Sequence, residues 1–173
     1  MNKKKLTIIF IIIAFLLCFL FHFVYDWFPN FITSIFFPVN ESIFEHIKLI
    51  FTSYIFSSLF LSKYYKNNTL INNLLFSTLM SYLLCIFVYL IVWIPLYFNG
   101  IENMIFTIVW LFVSIIISQI VVYKLYNKNV NRDYNKISLV FIILLFIIFG
   151  ILTYKPLKNP LFIDPQTKSY GIP

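Results

Sequence analysis

LTIIFIIIAFLLCFLFHFVY, residues Leu6 to Tyr25, is a run of 20 residues without an acid, a lysine, an arginine, a glycine or a proline. As a helix rising about 1.5 Å per residue it spans about 30 Å, the thickness of bilayer hydrocarbon. Backbone groups at that depth find no water, so the segment must pair its own N–H and C=O groups, which a helix does. Three lysines, Lys3, Lys4 and Lys5, precede it. The run is too long for the apolar part of a signal peptide, and no small-x-small cleavage site follows it. A lipidated cysteine is excluded too, because Leu17 stands before Cys18 where a small residue is required. The segment therefore reads as a retained first helix.

Four further runs of the same kind follow, Ile43 to Leu61, Leu74 to Ile94, Met104 to Tyr123 and Ile137 to Tyr154. None alternates polar with apolar residues, which excludes a membrane β-barrel. The expected fold is an all-α integral membrane protein, one domain over residues 1–173 with a bundle of five transmembrane helices. Composition agrees: of 173 residues 61% are hydrophobic and 11% charged, and the mean hydropathy is +0.91, more apolar surface than a soluble chain of this length can bury. The formal net charge of +7 sits at helix ends with no basic face, so it is read as membrane orientation and not as a nucleic-acid footprint. Cys18 and Cys85 both fall inside apolar runs and read as small lipid-facing or packing residues.

Of the 13 basic residues, Lys3, Lys4, Lys5, Lys63, Lys66, Lys124, Lys128, Arg132 and Lys136 share one side, and Lys48, Lys155, Lys158 and Lys168 the other. The crowded side is expected to be cytoplasmic, which places the N-terminus inside and the C-terminus outside. Five of the acids, Asp26, Glu41, Glu45, Glu102 and Asp164, fall outside, and Asp133 inside. Tyr25, Trp27, Trp93, Tyr97 and Tyr154 mark the outer interface, and Tyr64, Tyr65, Tyr123 and Tyr126 the inner one. All seven prolines, Pro29, Pro38, Pro95, Pro156, Pro160, Pro165 and Pro173, lie at or beyond outer helix ends. Ser53 with Ser57, Ser77 with Ser81 and Ser114 with Ser118 are small polar pairs one turn apart, suited to close helix packing.

The polar groups concentrate in one hairpin. His22 and Asp26 stand four apart on one face of the first helix. Residues 26–42 form an outer loop in which Phe31, Ile32, Ile35 and Phe36 fit a short interfacial helix. Asn40, Glu41 and Ser42 follow, and the second helix opens with Glu45, His46 and Lys48. Two imidazoles with carboxylates are a donor set that suits Zn²⁺ or a similar divalent ion. On this reading His22, Asp26, Glu45 and His46 hold the metal. Glu45 or Asp26 serves as general base for a bound water, and Lys48 or Asn40 steadies developing negative charge. The bland reading stands beside it. Ser42 and Glu45 match a capping box, Asn40 is an alternative cap, Glu41 reads as a solvated acid near a helix N-terminus, and Lys48 as a partner of Glu45. Ionisable groups at a membrane helix end are costly when isolated, which favours their meeting in one place. The tail, residues 155–173, is outside and either folds back over the cluster through Asp164-Pro165 and Tyr170-Gly171 or is irregular.

His22-Phe23-Val24-Tyr25-Asp26-Trp27, Pro38-Val39-Asn40-Glu41-Ser42 and Glu45-His46-Ile47-Lys48-Leu49 resemble the signature of an uncharacterised family of small five-helix membrane proteins of Firmicutes. The resemblance implies the architecture and a bacterial plasma membrane location, and brings no activity with it. Two function classes follow from the residues themselves. One is a metal-dependent hydrolase or transferase on a lipid or lipid-linked envelope substrate; the other is a non-enzymatic binding or assembly protein whose polar groups fasten the hairpin and present it to a protein partner. A solute carrier is the weaker third, because no charge lies near the bilayer midplane and no repeat is visible. With three glycines there is no nucleotide-binding loop.

Overall fold

The computed structural model of the chain describes residues 3–65, 73–101, 103–126 and 134–172. Lys66, Glu102, Lys128, Arg132, Asp133 and Pro173 lie outside the described residues. The elements are α1 (Lys3–His22), α2 (Val24–Trp27), α3 (Phe31–Phe36), α4 (Ile43–Tyr65), α5 (Leu74–Phe98), α6 (Met104–Tyr126), α7 (Asn135–Tyr154) and a 3₁₀ turn at Pro160–Phe162. The described residues contain no strand, and one isolated bridge joins Ile163 to Tyr170. Among the described residues, five helices are long and apolar enough to cross a membrane.

Helix α4 is the centre of the bundle. Its apolar window is 72% buried, against 22–28% for the other four. That helix also has the lowest hydropathy, because its inner faces carry Thr52, Ser53, Ser57 and Ser58, each fully buried. Small hydroxyl residues let neighbouring backbones approach and can bond locally, as Ser57 does by donating to the Ser53 carbonyl at 2.6 Å. Around α4, edge-on and tilted ring contacts of Phe51 with Tyr82, Phe146 and Phe149 join α5 and α7 to it. Phe10 on α1 meets Tyr54 edge-on at 5.3 Å. The Tyr54 hydroxyl bonds Ser118 of α6 at 2.8 Å, and Ser118 in turn receives Ser81 of α5 at 3.3 Å. Gln119 donates to Ser81 at 2.6 Å and closes this three-helix polar lock inside the bundle. Cys18 and Cys85 are buried free thiols within the same core.

At the far end from His22, two asparagines cross-link helix starts. Asn73 accepts from the Tyr134 amide at 2.9 Å, and Asn135 accepts from the Leu75 amide at 3.0 Å. At the near end α5 continues through Pro95 to Phe98. A proline so close to the C-terminus removes one internal hydrogen bond where the last turn frays toward polar surroundings, and Asn99 donates to the Pro95 carbonyl at 2.7 Å.

Short α3 starts from Asn30, whose side chain accepts from Ile32 and Thr33 while Thr33 returns to the Asn30 amide. This reciprocal cap stabilises one and a half turns that would be marginal alone. Packing then holds α3 against α7, through Ser34 with the Tyr154 hydroxyl at 2.8 Å, and against α4, where Thr52 donates to the Phe36 carbonyl at 2.6 Å.

Candidate metal centre

Helix α4 begins at Ile43, so Glu41 and Ser42 precede it. The Ser42 hydroxyl accepts from the Glu45 amide at 3.4 Å, which is half of a capping box. The other half is absent, because the Ser42 amide is taken by Asn40 Oδ1 at 2.9 Å. Asn40 therefore turns the chain into the helix, and the Glu45 carboxylate is free for other partners.

Those partners lie on the α3 and α7 side. Glu45 Oε2 meets Lys48 Nζ at 2.5 Å and accepts from the Val39 amide at 3.2 Å, while Oε1 accepts from Thr153 at 3.0 Å. Lys48 donates also to the Ser34 carbonyl at 2.8 Å and to Thr153 Oγ1 at 2.9 Å. Its three N–H groups thus have three acceptors, and both side chains are buried. The pair is a fastening between α3, α4 and α7. Glu45 and Lys48, read from sequence as base and charge stabiliser, stand here in a closed structural network.

His46 follows Glu45 by about 100° around the helix and so faces α1 and α5. Its Nδ1 lies 2.9 Å from the Ser42 carbonyl, an oxygen that can only accept, so Nδ1 carries the proton and Nε2 presents a lone pair. Across from it, at the last residue of α1, is His22, with ring centroids 5.6 Å apart. Glu41 stands between the two rings: its Oε2 is 3.4 Å from His22 Nε2 and 3.6 Å from His46 Nε2. One ligand atom from each of the three residues falls within 4.8 Å of the others. The His22 contact holds the Glu41 carboxyl below the usual range, against the opposing effect of partial burial, and both imidazoles add to it. His22 Nδ1 is buried without a hydrogen-bond partner among the described residues.

The carboxylate that the structure brings to the two histidines is therefore Glu41, read from sequence as a solvated acid. Asp26 sits on α2 and is exposed, outside this group of three. Its place before the helix start leaves Glu41 unbound by the 100° repeat and free to turn toward His46, a freedom that does not by itself select it.

The three donors open into a cleft of about 590 Å³. Its walls come from α1 (Cys18, Phe19), Phe23 at the cap of α2, α4 (Leu49), α5 (Tyr89, Trp93, Tyr97) and α6 (Met104, Thr107, Ile108, Leu111), with Asn103 beside α6. Trp93 packs against the His46 ring at 5.4 Å. Pro165 and Gln166 of the tail complete the lining. They are held by a turn in which Asp164 accepts from Gln166 and Thr167, each at 2.8 Å, and by Asn40, which donates to the Gly171 carbonyl at 2.6 Å. Phe162 stacks on Phe44 of α4 at 4.5 Å. The tail thus folds back onto the hairpin and contributes to the cleft.

Two imidazole nitrogens, one carboxylate oxygen and an open side toward a cavity form an arrangement able to take a divalent ion with a coordination position left for water or substrate. No curated protein and no solved structure matches the chain. A family model described as a family of unknown function (DUF6512) matches residues 1–172, and the chain belongs to that family.

Proposed function

We propose that this protein is a divalent-metal-dependent hydrolase or transferase of the bacterial plasma membrane, acting at the extracytoplasmic surface on a lipid or lipid-linked substrate. The observation that carries the reading is the convergence of His22, Glu41 and His46 at the head of a largely apolar cleft. Donors from α1, the loop before α4, and α4 itself are far more costly to gather by chance than neighbours on one helix. The Ser42 carbonyl orients His46 as second-sphere partners of metal-bound imidazoles do. A bound ion would lower the pKa of its water toward about 7 and polarise a substrate oxygen. Orientation rests on the lysine asymmetry, which puts His22 and the tail outside.

Metal analysis of detergent-purified protein tests the reading. About one divalent ion per chain is expected, lost in His46→Ala and bound at least tenfold more weakly in Glu41→Gln, with Asp26→Asn retaining it. Wild-type protein that stays metal-free after incubation with Zn²⁺, Mn²⁺ or Fe²⁺ would end it.

The Glu45–Lys48 network favours a second reading, an assembly protein in which buried polar groups fix the hairpin for a partner. On that reading, removing His22 or His46 lowers partner recovery and turnover is absent.

A further inference from the structure

The cleft carries information about what its occupant can be. Among the described residues that line it, Glu41 is the one acid, the two imidazoles are the basic groups, and no lysine or arginine is present. The nearest candidate cation in sequence, Lys48, is fully buried with its three donors already used. A phosphomonoester or diphosphate headgroup brings two or more negative charges. In such a site it would face Glu41 with the bound ion and two imidazoles alone to offset its charge, and with no lysine or arginine among the described lining residues, whereas phosphate sites draw on Arg, Lys or a helix N-terminus. A neutral group makes no such demand.

The cavity also has a side mouth. Phe19 on α1, Phe23 just beyond its end and Met104 on α6 line it while being 41%, 47% and 79% exposed, on flanks of the bundle that meet lipid if the helices span. From Met104 to Leu111 the lined stretch of α6 runs roughly 10 Å along the helix, away from the three donors and into the apolar depth.

From this geometry we infer that the substrate is a neutral acyl lipid reached sideways from the leaflet on the His22 side. Its ester carbonyl sits at His22, Glu41 and His46, and its acyl chain lies between α1 and α6. This inference rests on the metal-site reading above. The reaction is hydrolysis: the water oxygen bonds to the carbonyl carbon and the C–O bond to the alcohol breaks. One water proton passes to the leaving alkoxide oxygen, and the second is released as the fatty acid ionises. Asn103 and Gln166 at the rim are neutral hydrogen-bonding groups suited to an uncharged alcohol headgroup.

The test uses full-length protein in phosphatidylcholine nanodiscs, loaded with Zn²⁺ and assayed for bound metal. Two long-chain probes are compared, diacylglycerol for fatty-acid release and phosphatidic acid for phosphate release. A short-chain, water-soluble ester is the third probe. Fatty-acid release from diacylglycerol without phosphate release is expected. Ile108→Trp, which fills the groove, should lower long-chain relative to short-chain turnover at least tenfold with metal content kept. Met104→Trp at the mouth provides the same comparison should Ile108→Trp fail to fold. Preferred phosphate release, an unchanged long-to-short ratio in the folded variant, or a metal-loaded protein that cleaves no ester overturns the acyl-lipid inference and leaves the metal site standing. Absence of bound metal overturns both.

Discussion

Glu45 and His46 are adjacent in the chain and end in different chemistry. The 100° step of a helix sends Glu45 toward α3 and α7 and His46 toward α1 and α5. Glu45 meets Lys48, Thr153 and the Val39 amide, and every donor of Lys48 is satisfied. Breaking such a pair from one side leaves an uncompensated charge in a buried site. Lys48→Met, which strands the carboxylate, is expected to cost about 3 to 5 kcal/mol of stability. The double variant Glu45→Leu/Lys48→Met removes both charges and should recover most of that loss. Thermal unfolding in detergent across the four proteins of the cycle measures the coupling. A double variant as unstable as the sum of the two singles would show that the pair is not a mutual partnership. Metal content in the double variant is expected to match wild type, since neither residue is among the three converging donors.

The tail is held as a unit by a few local devices. Asp164 organises the turn from Gln166 to Ser169, and the Ile163–Tyr170 bridge closes its base. Gly171 adopts φ +70°, and a Cβ there would stand 2.9 Å from the Thr153 carbonyl oxygen. The left-handed backbone and the close approach both require glycine. Gly171→Ala should therefore strain the dock by about 1 to 2 kcal/mol and loosen it. Hydrogen exchange should quicken at the Asp164 and Lys168 amides, which bond within the turn, with α4 amides unchanged. Unaltered exchange at those two amides would mean that the turn holds without its anchor. Helix α3 shows the same logic at a different place. Its capping box joins Asn30 to Thr33 locally, but its position against α7 rests on Ser34 and Tyr154, 120 residues apart.

The bundle is organised around its most polar helix. Sorted by hydropathy alone, α4 would be misread as the least membrane-like segment, at 1.2 against 2.3–2.9 for the others. Its hydroxyl groups and the lock from Tyr54 through Ser118, Ser81 and Gln119 are sheltered by four helices whose outward faces are apolar and exposed. The sidedness expected from the lysines can be tested in cells through single reporter cysteines, because native Cys18 and Cys85 are buried. With a membrane-impermeant maleimide, Lys168→Cys should label in intact cells, and Tyr64→Cys only after permeabilisation. The reverse pattern would place the His22 end inside and move the proposed substrate to the other leaflet.

Five apolar runs, their helical state and the clustering of polar groups near His22 were legible because they depend on local quantities. Segment length against hydrocarbon thickness and the satisfaction of backbone groups are properties of each stretch taken alone. Even the separation of Glu45 from His46 around the helix was present in the sequence as an angle. What no local rule contained was which carboxylate would join the histidines. That depended on where α4 begins, on Asn40 occupying the Ser42 amide, and on α7 bringing Thr153 to Glu45 across 108 residues. With Glu45 drawn into the α7 contact, Glu41 is the acid left facing both imidazoles. The sequence alone determined five helices and where the polar groups gather. The tertiary structure decided which of them meet, because side-chain pairing is set by distances between elements far apart along the chain.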